Sequence, residues 1–411
     1  MNFPFFIAKR YLFSKRKRNF INIISTLTLI LVSVCTAALI IVLSVFNGLE
    51  DLLRSLNQSF DPQIKIEAAR GKSFEVKEAL LNSVKKIEGV EIVTEVIEDY
   101  AYARYTYGQH EANQLITLKG VSDNFLEQHR IDNNIIDGTL KLKSDEVRYA
   151  IVGSGVSGAL SIQAGDDFHP LQIYYINDIK PGMVDPSKIY SHRNILVGSV
   201  FSIVQSFDEN YVLVPLEFAQ ELMQFGNKRT SLEVKIAANA NASAIQRNLK
   251  KALGDGFTVL TLEEQHKDLY RLLKIEKLFT FGGGVLLLGI ASINIFFSLM
   301  MLVLDKKKDI SLLASMGADH SVLRKIFLME GALIAVGGTL IGLILGAALC
   351  YLQGRFGLIS MGLQNSVTEG YPVKMLFPDF LYITMAMIVI TFLISYRPAQ
   401  VATRTFSPSD L

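Results

Sequence analysis

Cysteine and histidine are scarce in this 411-residue sequence, which has two of the first and six of the second. Cys35 and Cys350 both fall inside long apolar runs, one near the middle of its run and one near an end. The polar part of the chain is therefore predicted to have no disulfide framework. The histidines occur without HxxxH or HxxE spacing, which argues against a zinc site.

A complete phosphate-binding loop is also missing. Gly71-Lys72-Ser73 resembles the end of a P-loop, but that motif needs a glycine five positions earlier, where Ile66 stands. The segment GSGVSG at 153–158 matches GxGxxG and precedes Asp178, yet the residues that follow are loop-like rather than strand-like. We interpret this segment as a tight turn from a strand into a helix. No Ser/His/Asp or Cys/His arrangement appears in the linear sequence, which does not report residues that meet only in the folded chain.

Long apolar runs are abundant instead. About 20 apolar residues make a helix that crosses the hydrocarbon core of a bilayer. Runs that meet this length occupy residues 21–46, 279–304, 326–350 and 378–396. Since half of all residues are hydrophobic but the chain is too polar for a bundle made only of membrane helices, we predict a membrane protein with four spans and a large wet domain.

The distribution of cations predicts the direction of the spans. Residues 1–20 mix Lys and Arg with Phe and Tyr, which favours an amphipathic cytoplasmic helix over a signal peptide. The loop at 351–377 carries few cations, whereas the segment at 305–325 and the tail at 397–411 carry more. The positive-inside rule therefore places both termini in the cytoplasm and residues 47–278 outside the inner membrane.

Residues 47–278 have the pattern of an α+β domain. Strands are predicted at 63–68, 90–97, 101–107, 114–121, 147–152, 168–176, 195–205, 211–214, 232–236 and 257–261. Helices are predicted at 75–87, 215–225 and 241–253, with helical stalks at 49–60 and 262–277. Gly108-Gln109 predicts a hairpin, and residues 177–194 a loose insertion. The fold class is an α-helical membrane protein with four transmembrane helices and a large α+β extracytoplasmic domain inserted between the first two.

The charged segment at 305–325 keeps a helical apolar pattern between the second and third spans. Its apolar positions include Ile310, Leu312, Leu313, Met316, Val322 and Leu323. Gly317 interrupts the pattern and is predicted to end a short amphipathic helix. Such a helix against the cytoplasmic face offers a surface that a partner protein can bind.

The second and third spans contain a few residues that stand out from their apolar surroundings. A glycine stripe is formed by Gly338, Gly342 and Gly346. Its spacing of four puts the stripe on one helix face, where another helix can pack closely. Asn294 is a polar residue of the second span, and Glu330 lies near the inner end of the third. For Glu330 we favour extension to the inner surface, or a pair with Arg324 or Lys325, over a proton relay.

Several segments resemble a known family. FIAKRYLFSKRKRNFINIIS (6–25) and LIIVLSVFNGLED (39–51) resemble the N-terminus of the lipoprotein-releasing permeases. KKKDISLLASMGADHSVLRKIFLMEG (306–331), Tyr371-Pro372-Val373 and PAQVATRTFSPSDL (398–411) resemble the wider family of four-span permeases, which includes macrolide exporters and the cell-division permease. Over essentially its whole length, the chain resembles the permease subunit of a lipoprotein-releasing ABC transporter.

The resemblance implies a function. The chain would extract lipoproteins from the outer leaflet of the bacterial inner membrane and pass them to a periplasmic carrier. Its partners would be ABC ATPase subunits, a second permease (itself or a paralogue), the acylated cargo, the carrier and the phospholipid bilayer, but no nucleic acid. ATP and Mg²⁺ would bind the ATPase, so the resemblance implies a membrane subunit that is not itself an enzyme and has no cofactor or metal. Two alternatives stay open: a permease that transmits motion to an efflux pump, and a signalling permease that activates cell-wall hydrolases.

The resemblance also assigns roles to residues. ATPase coupling is expected at Lys307, Asp309, Ile310, Leu312, Leu313, Met316 and Gly317. A cavity for acyl chains is expected at the outer ends of the first two spans, because the cargo is anchored in the outer leaflet. One wall of this cavity is expected to be Val42, Val45, Phe46 and Leu49, and the facing wall Phe279, Phe281 and Val285. Gly282-Gly283-Gly284 would leave room between the walls.

Overall fold

The computed structural model describes residues 3–12, 20–177, 189–360 and 370–404. The chain divides into two compact units. The membrane unit comprises Met1–Leu52 and Arg271–Leu411, and the inserted unit comprises Leu53–Tyr270.

The four longest helices include the four apolar runs of the sequence. In chain order they are α1 (Phe3–Leu12), α2 (Phe20–Gln58), α3 (Glu78–Lys85), α4 (Ser154–Leu160), α5 (Gln205–Asp208), α6 (Leu216–Met223), α7 (Ala242–Leu253), α8 (Leu262–Gln265), α9 (Lys267–Asp305), α10 (Lys307–Ser315), α11 (His320–Phe356) and α12 (Phe377–Arg404). Of these, α2, α9, α11 and α12 are long and apolar enough to cross a membrane. The predicted fold class of four spans with an α+β domain between the first two is confirmed.

The four long helices pack around one apolar core in the membrane unit. Each contributes buried side chains to it, among them Val32, Leu288, Ile334 and Ile383. At one end of this bundle, a second cluster joins α1 and α10 to the end of α9, the start of α11 and the end of α12. We call this the basic end, because Lys307, Lys308, Arg324 and Lys325 lie there. Because α9 and α12 end at the basic end and α11 begins there, α9, α11 and α12 alternate in direction.

The inserted unit is built on one mixed sheet. Its strands are β1 (Ile64–Ala68), β2 (Phe74–Glu75), β3 (Val90–Tyr107), β4 (His110–Val121), β5 (Ile135–Gly138), β6 (Lys143–Ser144), β7 (Val147–Gly153), β8 (Leu171–Ile176), β9 (Tyr190–Phe201), β10 (Tyr211–Pro215), β11 (Lys228–Arg229), β12 (Ser231–Ile236) and β13 (Phe257–Thr261). The main order is β13-β1-β12-β3-β4-β10-β7-β9-β5, and β8 pairs with β3 and β9 and β6 with β7 in the same sheet. β2 and β11 form a separate two-stranded sheet.

Apolar clusters cover successive parts of this sheet. One packs α3 and α7 against β1, β12 and β13 and is centred on Ile64, Leu232 and Val259. Another packs α4 and α6 against β3, β4, β7 and β10. A third cluster surrounds Phe60, whose ring centroid lies 4.3 Å from that of the stacked Phe207 ring. Its residues Val96 and Leu213 alternate along their strands with members of the second cluster, so it lies on the opposite face of the sheet. The strand β3 contributes to all three cores.

A buried group of charges lies at the centre of the inserted unit. Lys119 Nζ lies 2.7 Å from Glu233 Oε1, and the Arg130 guanidinium pairs with Glu233 Oε2. Burial raises the pKa of Glu233, but Arg130 and Lys119 lower it more, so the pKa falls from 4.5 to about 2. Glu233 is therefore ionised and held by two cations, although its side chain is completely buried.

The turn at GSGVSG has a structural explanation. β7 ends at Gly153 and α4 begins at Ser154, so the interpretation as a strand-to-helix turn is confirmed. A Cβ added to Gly153 would lie 2.9 Å from Asp208 Cα, and one added to Gly155 would lie 2.8 Å from Glu209 Cα. The glycines therefore allow α5 to pack against the turn. Asp178 lies outside the described residues.

Several predicted boundaries of the inserted unit are wrong. The strands predicted at 90–97 and 101–107 are one strand, β3, and the helix predicted at 75–87 is shortened to α3. β9 begins at Tyr190 and ends at Phe201 rather than running from 195 to 205, because its first residues pair with β8. Residues 190–194 of the predicted loose insertion thus belong to a strand, while residues 178–188 lie outside the described part. The stalk predicted at 262–277 is interrupted at His266, whose Nε2 is 2.6 Å from Asp61 Oδ2.

Candidate functional site

The first candidate site is α10, which is anchored at the basic end by apolar side chains. Ile310 is completely buried and Leu313 is half-buried against the ends of α9, α11 and α12. Gly317 follows α10 with φ +92°, a value that glycine adopts far more readily than other residues, so it terminates the segment as predicted. Residues 320–325 of the predicted segment belong to α11, whose first backbone N–H is capped by the Asp319 carboxylate at 2.8 Å.

The opposite side of α10 is exposed in the described structure. Leu312 and Met316 are 59% and 76% exposed, and they lie one helical turn apart. Lys308 and Asp309 flank them, and Asp309 lies 3.8 Å from the Lys306 ammonium group. An apolar pair surrounded by charges is the arrangement expected of a protein interface. Ile310 is buried in the bundle, so it anchors α10 and does not itself face a partner.

The helix α1 packs against the same end of the bundle. Ala8 is buried, and Ile7 and Tyr11 join the cluster that contains Ile310. The Lys306 ammonium group lies 5.9 Å from the centroid of the Tyr11 ring. Burial raises the pKa of Tyr11 to about 12, with further contributions from Asp309 and Glu330. α1 is thus a packed component of the bundle, and residues 13–19 of the predicted N-terminal segment lie outside the described part.

The glycine stripe of α11 lies against α2. A Cβ at Gly338 would lie 2.9 Å from the Leu29 carbonyl oxygen, Gly342 faces Ser33 and Thr36, and Gly346 faces Ile40. At each of the three positions a side chain would collide with α2. The structure therefore uses the stripe to bring these two helices into backbone contact.

A polar cluster ties three helices together at the end of the bundle opposite the basic end. Asn47 Nδ2 donates to Asp379 Oδ2 at 2.6 Å, and Lys277 Nζ donates to Asn47 Oδ1 at 2.6 Å. Asn47 and Asp379 are buried, so α2, α9 and α12 are connected by charge-assisted hydrogen bonds. Sequence reasoning missed this cluster. The available signal was a single polar residue at the end of each apolar run.

The segment that precedes α12 lies along the same end of α2. The Lys374 backbone N–H donates to the Ser44 carbonyl oxygen at 2.9 Å, and a Cβ at Gly48 would collide with the Pro372 carbonyl group. This contact joins two segments that carry the family resemblance, residues 39–51 and Tyr371-Pro372-Val373. Both belong to one junction between α2 and the start of α12.

The structure brings together only part of the expected acyl-chain cavity. Val42, Val45, Phe46 and Leu49 form one stripe of α2 that is exposed or half-buried. The expected facing wall is split, because residues two apart on a helix point in nearly opposite directions. Phe279 is 76% exposed, whereas Phe281 packs edge-on against Tyr382 of α12 at 6.5 Å. Leu39 fills the space at Gly284, so the glycines leave less room than expected.

Glu330 is buried in the bundle and does not reach the surface. It is 2% exposed, and its Oε2 finds no hydrogen-bond partner among the described residues. Arg324 and Lys325 are exposed and lie six and five residues before Glu330, so they point from other faces of α11. The interpretation that Glu330 extends to the surface or pairs with them is therefore wrong. In the second span, Asn294 Nδ2 donates to the Ala291 carbonyl oxygen at 3.3 Å, within its own helix.

The inserted unit exposes an unusual sheet face. One face of β3, β4, β8 and β9 covers an apolar core, and the other would ordinarily be polar. Instead, the register aligns Tyr102 with Leu115 and Tyr174, and Ile176 with Tyr190. We define the aromatic face as Tyr100, Tyr102, Leu115, Tyr174, Ile176 and Tyr190. Apart from the half-buried Tyr174, these side chains are exposed, and such a patch is typical of an interaction surface.

Two family models match the chain. The MacB-like periplasmic core domain matches residues 25–252, more than half of the chain, and the FtsX-like permease C-terminal domain matches residues 281–405. The chain belongs to this family of permeases. The inserted unit is accordingly the periplasmic core domain of the permease, and α10, α11 and α12 lie in its C-terminal permease domain.

The permease is similar over nearly its full length to transmembrane proteins of lipoprotein-releasing systems. It is 23% identical to the LolE protein of Haemophilus influenzae over 98% of both chains. It is 24% identical to a LolC protein of Xylella fastidiosa over 97% of this chain and 96% of that one. The periplasmic region of MacB from Actinobacillus actinomycetemcomitans matches 52% of the permease and 94% of that structure, with 13% identity and a TM-score of 0.35. The resemblance to the lipoprotein-releasing permeases is confirmed by the two full-length relatives.

Proposed function

We propose that the permease is the membrane subunit of an ABC transporter that extracts lipoproteins from the outer leaflet of the inner membrane and, together with a second permease, passes them to a periplasmic carrier. The observation that carries the proposal is the similarity to two lipoprotein-releasing proteins over at least 96% of each chain. The permease has a bundle of four membrane helices and a periplasmic core domain. It therefore has one part for each end of the transfer, the membrane and the periplasm.

The energy for extraction is proposed to come from a partner that binds α10. We infer that the basic end faces the cytoplasm, because its cations agree with the positive-inside rule, and we propose that both termini lie on the same side. The exposed pair Leu312 and Met316 would then face an ABC ATPase. ATP and Mg²⁺ would bind on the ATPase, because the sequence of the permease contains no complete P-loop.

Depletion of the permease tests the proposed function directly. Mature lipoproteins destined for the outer membrane are expected to accumulate in the inner membrane, as measured by membrane fractionation and immunoblotting. Expression of the intact chain from a plasmid should restore their transfer. If lipoproteins still reach the outer membrane while efflux or cell-wall hydrolysis fails, one of the two alternative functions is correct instead.

The acyl chains of the cargo are proposed to contact the exposed stripe of α2. Pulling an acyl chain into water costs about 0.8 kcal/mol for each CH₂ group that loses its apolar surroundings. Val42, Val45, Phe46 and Leu49 lie toward the outer leaflet when the basic end is cytoplasmic, and their side chains are accessible or half-buried. They could therefore receive the acyl chains before the chains leave the membrane.

A photocrosslinking amino acid at Phe46 is expected to capture a triacylated lipoprotein. The matched control is the same amino acid at Leu27, which is also exposed on α2 but lies nearer the basic end. Val45→Asp should block release without preventing insertion, because a charge there opposes acyl burial, whereas Val45→Leu should be tolerated. Equal capture at Phe46 and Leu27 would contradict a specific acyl contact.

The carrier is proposed to bind the aromatic face of the core domain. Replacing Tyr102 and Leu115 together by serine removes two exposed apolar side chains from its centre. Each buried side chain of this size contributes about 1.5–3 kcal/mol, so binding of the purified carrier should weaken at least about tenfold. Ile136→Ser is the control, since Ile136 is equally exposed but lies on β5. Equal binding by all three proteins would exclude the aromatic face.

A further inference from the structure

A groove runs between α11 and α12 on the surface of the bundle. It encloses about 310 Å³ and is lined almost entirely by apolar atoms, including Leu328, Ala332 and Val336 of α11 and Met387, Thr391 and Phe392 of α12. The small Ala332 and Ala335 side chains give it depth. The Thr391 hydroxyl donates to the Met387 carbonyl oxygen at 2.7 Å, so its hydrogen bond stays within its own helix.

The length of the groove matches one leaflet of a bilayer. Its lining on α11 extends from Leu328 to Leu340, which is about 18 Å at 1.5 Å per residue. The hydrocarbon core of a bilayer is about 30 Å thick, so one leaflet occupies about 15 Å. A helix that crosses the membrane would need a groove about twice as long. An acyl chain of one leaflet fits the observed length.

Charged and polar groups lie at one end of the groove. Arg324 and Lys325 precede Leu328 by four and three residues, which places them on the same face of α11. Both are exposed and make no ion pair within the described residues. On α12, Tyr396 follows Phe392 by one turn, with 6.2 Å between the ring centroids. The opposite end of the groove, near Leu340 and Thr384, is lined without any charged side chain.

The Ser395 side chain lies at this end of the groove but belongs to the contact between α11 and α12. Ser395 is 1% exposed, and a Cβ added to Gly331 would collide with its Oγ. The groove therefore offers a ligand an apolar lining along its length and two cations at one end. In a phospholipid, the acyl chains and the charged phosphate follow each other in the same order.

We propose that the groove between α11 and α12 binds an anionic phospholipid. One acyl chain occupies the apolar groove, and the phosphate lies between Arg324, Lys325 and Tyr396. Basic pockets between membrane helices recognise anionic headgroups in this way. The site is distinct from the proposed acyl stripe on α2, which lies toward the opposite end of the bundle.

Native mass spectrometry of the full-length permease tests the proposal. The delipidated protein is offered phosphatidylglycerol or phosphatidylcholine with the same acyl chains. Phosphatidylglycerol is expected to stay bound under activation that removes phosphatidylcholine. The double variant Arg324→Gln/Lys325→Gln should reduce phosphatidylglycerol retention at least about tenfold, because each cation near the headgroup contributes to its attraction. Ala332→Phe, which fills the groove, should reduce the retention of both lipids.

Two matched controls separate this site from general effects of charge and size. Lys308→Gln removes a cation of the basic end that does not line the groove, and Ala348→Phe adds the same ring at an exposed position of α11 outside it. Both controls should retain phosphatidylglycerol like the unmodified chain. Equal retention of the two lipids by the unmodified chain, or equal losses in test and control variants, would overturn the proposal. So would an efficient crosslink between two copies through Ala332→Cys, since a second chain would then occupy the groove.

Discussion

Loss of lipoprotein release is the expected result of replacing Leu312 and Met316 together by aspartate. These residues are the exposed apolar pair on α10, with Lys308 and Asp309 beside them. Burial of each side chain in an ATPase interface would contribute about 1.5–3 kcal/mol, and two carboxylates in that interface would oppose binding further. The affinity for the ATPase should therefore fall at least about a hundredfold. Co-purification of the ATPase with the permease and transfer of lipoproteins to the outer membrane measure the two consequences.

Ser311→Asp is the matched control for this experiment. It adds one negative charge, where the double variant adds two, and it places that charge about 100° from Leu312 around the axis of the same helix. The control variant should retain the ATPase, and both variants should reach the membrane in normal amounts, because neither change touches the buried anchor Ile310. Retention of the ATPase by the double aspartate variant would show that the partner binds elsewhere.

The second large effect is expected from Glu233→Gln in the periplasmic core domain. This change removes the one negative charge between Lys119 and Arg130 and leaves two cations in a buried site. Breaking a buried pair by removing one partner costs about 3–5 kcal/mol. Hydrogen–deuterium exchange of the full-length permease should show faster exchange in β12 and β3, the strands nearest the lost charge. Glu263→Gln is the control, because its pair with Arg54 is partly exposed and contributes little.

The same carboxylate gives a pH dependence with a definite sign. Glu233 has a pKa of about 2 in the folded protein, against 4.5 without the surrounding structure. Its ionisation therefore contributes about 3 kcal/mol to the free energy of unfolding above pH 4.5. That contribution is lost as the pH falls from 4.5 towards 2. The Glu233→Gln variant should lack this part of the pH dependence, and an unchanged profile in the variant would show that other carboxylates cause the acid transition.

The membrane helices could be predicted from the sequence because their signal is local. The length of an apolar run predicts that it spans the membrane. The spacing of Gly338, Gly342 and Gly346 predicts that another helix packs closely against them, and in the structure that helix is α2. The polar cluster of Asn47, Lys277 and Asp379 could not be predicted in this way. Its members are separated by up to 332 residues, and only the folded bundle brings them together.

The continuity of β3 shows why the strands are harder to predict from the sequence than the membrane helices. Glu98 and Asp99 interrupt the apolar alternation between the two predicted strands, so the sequence alone indicates a break. In the structure the Tyr211 hydroxyl donates to Glu98 at 3.2 Å, and the Tyr175 hydroxyl donates to Asp99 at 2.9 Å. Partners from distant strands thus allow two polar residues in the middle of a strand, and no local pattern reports such partners.

The unbroken strand β3 has a mechanical consequence for the periplasmic core domain. Its 18 residues extend over about 60 Å at about 3.3 Å per residue, without a loop that could act as a hinge. The same strand pairs with β12 at its start and with β4 and β8 towards its end. β3 therefore connects the two parts of the domain without a hinge. A displacement of the cluster that contains α3 and α7 would move the aromatic face as well, because both are attached to the same continuous strand.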